Sequence, residues 1–185
     1  MDADSEFKNI INHVKKKVDL TPLQLKILYK ISEHGEVNME VISKELGVPK
    51  STVYYNYKKL EDSGLIRKIM VDLNDELLGL DITAISFVRG KYAGATGKEI
   101  GEKISAIPGV VAVYYILGDI DYIVISKALN REDLKRIIDS IANIEGVERT
   151  STQYVLNVIK EERDLLKCYP FEVSEVLFSK SERVS

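Results

Sequence analysis

Residues 38 to 64, NMEVISKELGVPKSTVYYNYKKLEDSG, hold two short helical patterns separated by a corner, and no other run constrains the fold as tightly. Asn38 is an N-cap type placed ahead of Val41, Ile42 and Leu46, which share one face and predict a short, core-facing helix. Gly47 suits the left-handed conformation that stops a helix. Pro49 then fixes φ without offering a backbone donor, so Gly47 to Lys50 reads as a corner of helix-turn-helix length. The second helix is expected to begin at Lys50 or Ser51. On a helical wheel Val53, Tyr54, Tyr57 and Leu60 share one inward sector. Ser51, Thr52, Tyr55, Lys58 and Lys59 point roughly the other way, with Asn56 on the flank.

That outward face carries groups suited to double-stranded DNA. Hydroxyls and lysines contact phosphates, and an asparagine facing the major groove pairs bidentately with an adenine edge, which makes Asn56 the candidate base reader. Lys50, Arg67 and Lys68 are expected to anchor phosphates. A Lys-rich helix face is often only solvated surface, with its tyrosines packing inward; the corner argues against that reading because it projects the second helix from the body of the domain. The formal charge is -3, but its distribution matters more. Between residues 41 and 70 stand Lys44, Lys50, Lys58, Lys59, Arg67 and Lys68 against Glu45, Glu61 and Asp62, a modest local basic excess. Non-specific affinity follows the number of phosphates neutralised, so a two-fold homodimer, which doubles the patch, is the expected DNA-binding form.

With 185 residues, 45% of them apolar and 30% charged, the chain is long enough to bury one large core or two small ones. It lacks a membrane-spanning apolar run, and its N-terminus, MDADSEFKN, is acidic and polar, unlike a secretory signal. The one cysteine, Cys168, excludes an intramolecular disulfide and a multi-cysteine zinc site. A cytoplasmic protein is expected. The only histidines, His13 and His34, lie far in the chain from Asp119 and Asp121 and read as surface helix residues without partners, and Cys168 sits in the tail. Neither an acid-base pair nor a metal cluster is legible, and no enzyme activity or cofactor is expected. A third class of function is a sensing or protein-interaction module whose helix-turn-helix no longer binds DNA specifically.

Before the corner, Ser5 can cap a helix carrying Phe7, Ile10, Ile11, Val14 and Val18, with Lys15, Lys16 and Lys17 toward its C-terminal end. Thr21 then caps a helix with Pro22 in its first position and Leu25, Ile27, Leu28 and Ile31 at helical spacing, stopping at Gly35. After Gly64, LIRKIMVDLN alternates loosely and predicts a wing-like strand bearing Arg67 and Lys68.

Beyond residue 80 the pattern becomes strand (DITAISFVR), helix (KEIGEKISAI), two strands (VVAVYYIL, DYIVISKA), helix (REDLKRIIDSIANI) and strand (ERTSTQYVLNVI). Ile107-Pro108-Gly109-Val110 and Ile144-Glu145-Gly146-Val147 echo one another, each closing a helix before a strand. The expected class is α+β: a winged-helix-like helix-turn-helix domain over 1–75, a linker over 76–80, a ferredoxin-like βαββαβ domain over 81–162 and an extension over 163–185. One face of such a sheet needs cover, which a second subunit supplies most simply. The Gly-rich stretch 90–98 fails the phosphate-loop spacing and reads as a connection. The extension, with Tyr169, Phe171, Val173, Val176, Leu177 and Phe178, is expected to pack on a partner subunit or the edge of its own sheet.

Over about residues 20 to 162 the chain resembles the leucine-responsive regulator/AsnC (feast/famine) family of transcription regulators. Leu20 with Ile27-Leu28, Ile42-Ser43-Lys44-Glu45-Leu46-Gly47-Val48, Val53, Leu60-Glu61 and Gly64-Leu65-Ile66 carry the likeness, together with Gly118-Asp119-Ile120-Asp121-Tyr122 between two strands. The resemblance implies sheets paired into a homodimer, further assembly to a tetramer or octamer, and an amino-acid effector near the GDxDY turn. Gly118, Asp119, Asp121 and Tyr122 are then the expected effector residues, with Thr150, Ser151 and Thr152 as neighbours. Asp121 could pair with an α-ammonium, although Gly118 and Asp119 also suit a tight turn. Where the family's reading helix commonly carries paired arginines, this chain has Tyr55-Asn56 and Lys58-Lys59.

Overall fold

The computed structural model describes residues 19–91 and 97–178. The chain divides into two compact units, one extending to Asp72 and resuming at Lys160, the other formed by Leu73–Ile159. The helix expected over residues 5 to 18 and the middle of the Gly-rich stretch lie outside the described residues.

The first unit opens with α1 (Pro22–His34), α2 (Met39–Leu46) and α3 (Lys50–Asp62). Each start and stop follows from local chemistry. Thr21 Oγ1 accepts from the Gln24 amide at 3.2 Å while Gln24 Oε1 accepts from the Thr21 amide at 2.9 Å, a reciprocal cap that satisfies two otherwise orphaned donors. Asn38 Oδ1 accepts from the Val41 amide at 3.2 Å and starts α2. Gly47, at φ 64, ends it in the left-handed region that only glycine enters cheaply. The Pro49 carbonyl then receives the Thr52 and Val53 amides at 2.9 and 3.1 Å, and α3 leaves the corner as the spacing predicts. Leu25, Ile27, Ile31, Ile42, Val53 and Leu60 bury together as the core of this unit. Two residues expected on inward faces are instead exposed, Val41 at 36% and Tyr54 at 54%.

The strand expected after Gly64 does not form. Residues 65 to 74 run as irregular chain, with Ile69, Met70, Val71 and Leu73 exposed. A strand needs a neighbour for its amides and carbonyls, and the one described sheet of this chain lies in the other unit. Arg67 and Lys68 are thus exposed on a loop rather than on a wing.

The second unit is β1 (Ile82–Gly90), α4 (Gly97–Ser105), β2 (Val110–Tyr115), β3 (Tyr122–Ala128), α5 (Arg131–Ala142) and β4 (Val147–Tyr154). This is the βαββαβ order read from the sequence. The sheet runs β2-β3-β1-β4, antiparallel throughout. Its inward face, with Val88, Tyr122 and Val124, packs on Ile100 and Ile104 of α4 and on Ile137 and Ile141 of α5. The alternate residues Ile85, Phe87, Ile123 and Ile125 are only half-buried on the opposite face, as strand periodicity requires of a sheet covered on one side. The internal echo is a repeated turn: Gly109 and Gly146 adopt φ 95 and 94, and the Val110 and Val147 amides each donate 3.0 Å to the isoleucine carbonyl three residues back. Lys127 on β3 is buried and pairs with Asp75. A buried ammonium requires such a partner, and Asp75 and Lys127 both lie in the unit Leu73–Ile159.

Among the described residues the extension packs within the first unit, where the edge of its own sheet or a partner subunit was expected. After Lys160 the chain returns to the first unit through a 3-10 turn, Leu165–Cys168, and α6 (Phe171–Phe178). Leu166, Phe171 and Phe178 pack against the helical core. The Tyr29 phenol bonds the Leu166 carbonyl at 2.9 Å and the Ser174 hydroxyl at 2.6 Å, and its ring meets Phe171 edge-on at 4.9 Å. A phenol has one proton, and the carbonyl can only accept it, so the Ser174 hydroxyl donates to Tyr29. The Leu20 amide closes the seam on the Phe178 carbonyl at 3.2 Å. The tail thus supplies a further layer of the helical unit.

Candidate nucleic-acid interface and effector turn

On α3, Lys50, Ser51, Tyr55, Lys58 and Lys59 are exposed as predicted, while Thr52 and Asn56 are half-buried. Several of these groups have partners within the helix. Asn56 Nδ2 donates to the Thr52 carbonyl at 2.9 Å, turning one amide proton back along the helix. The Lys58 ammonium pairs with Glu61, whose carboxylate also accepts from the Tyr57 hydroxyl at 2.8 Å. The Lys58 bond, then that from Tyr57, holds the Glu61 carboxyl below its usual range; the same contact raises Lys58. Lys59 Nζ lies 4.6 Å from the centre of the Tyr55 ring, within cation-π range. The outward surface therefore combines two exposed tyrosines with lysines that are partly neutralised or stacked. Tyr54, assigned inward by the wheel, belongs to this surface; a sector boundary cannot say where the packed edge of a helix ends.

Helices α1 and α2 are braced by Glu45, which accepts from His34 Nε2 at 3.0 Å and lies 3.4 Å from Lys30 Nζ. His34, read from the sequence as an unpartnered surface residue, thus bridges two helices. Its bond to Glu45 is the main reason the Glu45 carboxyl lies low.

The GDxDY turn joins β2 to β3. Gly118 and Asp119 are exposed, whereas Asp121 is tied to the end of β1. Asp121 Oδ2 accepts from the Gly90 amide at 2.7 Å, its own amide donates to the Val88 carbonyl at 3.0 Å, and its carbonyl accepts from the Ile116 amide at 2.8 Å. Tyr122 is fully buried; its phenol donates to the Gly97 carbonyl and its ring stacks on Tyr115 with centroids 5.2 Å apart. Burial raises the Tyr122 phenol further above its ordinary value, so it acts as a donor and not as an anion.

The sheet register separates the other three expected residues. Tyr122, Val88 and Thr150 form one row on the helix-covered face, placing Thr150 two strands from Tyr122, about 10 Å away. Thr152 shares that face and bonds Ser86 across the strands at 2.8 Å. Ser151 points to the opposite face, because consecutive strand residues alternate. Sequence reasoning missed a shallow groove beside this region, lined by Gly97, Gly101, Ser105, Val113 and Tyr115 between α4 and β2. Only the spacing of Gly97 and Gly101, four apart on one helix face, hinted at it.

The family model for the Lrp/AsnC ligand binding domain matches residues 83–165, and that of the MarR family matches residues 20–70. An uncharacterised HTH-type transcriptional regulator of Pyrococcus horikoshii is 39% identical over 145 residues, covering 78% of this chain and 97% of its own length. The chain belongs to the Lrp/AsnC family of transcription regulators. The HTH-type transcriptional regulator FL11 of Pyrococcus furiosus is 36% identical over 149 residues, covering 79% of this chain and 95% of its own. Among solved structures, a transcriptional regulator of Neisseria meningitidis in complex with L-Met aligns with a TM-score of 0.73 at 23% identity, over 79% of this chain and 96% of that one. The Lrp/AsnC fold thus accounts for both the helical unit and the four-stranded sheet.

Proposed function

We propose that this Lrp/AsnC regulator binds double-stranded DNA sequence-specifically as a homodimer, inserting α3 of each subunit into the major groove one helical turn or a multiple apart. The observation that carries this reading is the exposed face of α3 itself, where Ser51, Tyr55, Lys58 and Lys59 stand clear of the packed core. Thr52 and Asn56 flank that face, and Lys50, Arg67 and Lys68 supply phosphate contacts around it. The half-buried apolar face of the sheet favours a second copy as its cover, with tetramers or octamers built from such dimers. The protein regulates rather than catalyses, and it works in the cytoplasm.

An amino acid is the proposed effector, as suggested by the L-Met bound to the Neisseria regulator. It would lie near Gly118, Asp119, Asp121 and Tyr122, with Thr150 and Thr152 on the same side of the sheet and Ser151 on the other. Carboxylates there suit an α-ammonium. Such a ligand controls DNA binding only if it favours one assembly or DNA-competent state over another.

Duplex affinity measured across a salt series tests the DNA reading. Binding should weaken with a log-log slope of about -0.9 per neutralised phosphate. The modest basic excess leaves one competitor, an interaction module that no longer binds DNA specifically, and affinity for a preferred duplex no better than for random DNA would favour it.

A further inference from the structure

Ser51, Tyr54, Tyr55 and Lys58 are spaced three and four apart and form one stripe along α3. Two adjacent tyrosines, 54% and 59% exposed, occupy its middle. Neither ring is needed for the core, which Val53 and Leu60 fill from the same helix. The polar readers of this helix are meanwhile engaged: Asn56 donates to Thr52, Lys58 pairs with Glu61, and Lys59 lies over the Tyr55 ring. Tyr54 differs from them. Among the described residues its hydroxyl makes no hydrogen bond and no ring or cation stacks on it, although its phenol and the Lys58 ammonium interact electrostatically.

Resting on the DNA-binding reading above, we propose that Tyr54 is a specificity residue that reads thymine through its C5-methyl group. That methyl is the one apolar feature on the major-groove edge of a base pair, and apolar side-chain contact is how proteins recognise it. A tyrosine on the groove-facing stripe offers an apolar ring for the methyl and a hydroxyl that stays in the wet groove. Tyr55, whose ring already carries Lys59, is the supporting neighbour. The operator is thus expected to depend on thymine methyls and not only on hydrogen-bonded contacts.

The experiment uses the full chain and its preferred duplex, selected from a random pool. Each thymine of one half-site is replaced in turn by deoxyuridine, which removes the methyl and keeps the base pair. Affinities are measured for the native protein, Tyr54→Phe and Tyr54→Ser, at salt low enough for weakened variants to bind. At one or more positions uracil should cost the native protein about fourfold, the value of one methyl-sized group returned to water. Tyr54→Phe should show the same loss, and Tyr54→Ser none. Equal losses in all three proteins at every position, or no loss at any, would overturn the assignment. So would Tyr54→Phe behaving like Tyr54→Ser, since the hydroxyl would then be the operative group. Failure to select any preferred duplex would overturn the DNA-binding reading itself, and this inference with it. Because Tyr54 is exposed, all three proteins should melt alike, which confirms that the differences arise at the DNA.

Discussion

Replacing Asp121 separates the two roles that its position in the GDxDY turn allows. Its Oδ2 accepts the amide proton of Gly90, a buried residue at the end of β1, at 2.7 Å. Asp121→Ala leaves that donor in a place water reaches poorly, and an unsatisfied buried donor costs about 1–3 kcal/mol. The backbone bonds to Val88 and from Ile116 survive the change, so the cost belongs to the side chain. For a unit the size of Leu73–Ile159, a loss of that order lowers the melting temperature by roughly 4–8 °C per kcal/mol. Asp121→Asn retains an acceptor oxygen and should recover most of the difference. Amide hydrogen exchange offers a sharper readout than melting alone: the Gly90 amide should exchange faster in Asp121→Ala and near the native rate in Asp121→Asn. An unchanged Gly90 amide in Asp121→Ala would refute the clamp. If Asp121 also receives an α-ammonium, Asp121→Asn should be stable and yet weakened in amino-acid binding.

Phe171→Ala should destabilise the helical unit by about 2–3 kcal/mol, somewhat less than a fully buried phenylalanine would cost, because the ring is only partly covered; native-like melting would mean that the tail does not stabilise this unit. Gly47→Ala should cost about 1–2 kcal/mol through the left-handed backbone alone, since an added Cβ meets nothing within 4 Å, and a thermal melt of the variant checks it. The Lys58–Glu61–Tyr57 cluster makes stability fall in acid. Because the folded Glu61 carboxyl lies below its ordinary 4.5, its contribution is complete above that pH and is lost as the pH drops through the lower folded value. A melting series over that interval should decline more gently in Glu61→Gln, and parallel curves would contradict the assignment.

The sequence was most legible where a residue acts within its own turn. Thr21, Gln24, Asn38 and Gly47 each satisfy or end the helix beside them, so α1, α2 and the corner follow from local rules. Strand alternation and the repeated Gly-Val turn identified the βαββαβ unit for the same reason. What could not be read depends on distant partners. The expected strand after Gly64 had suitable residues but no neighbouring strand to receive its backbone bonds. The tail's aromatic residues announced burial without saying against what, and their partner, Tyr29, lies 137 residues from Leu166 in the chain. At the effector turn, residue type suggested a ligand for Asp121, while the register revealed its bond to Gly90 and turned Ser151 away from Thr150 and Thr152. Periodicity assigned Tyr54 to the inward sector, whereas packing leaves it exposed.

The central claim, that α3 reads DNA from a dimer, is tested most directly by selecting bound duplexes from a random pool with the purified protein and with a Lys58→Ala/Lys59→Ala control. Enrichment of a two-fold symmetric motif by the native chain, lost in the control, is the predicted result. No enriched motif, or one that the control enriches equally, would contradict it.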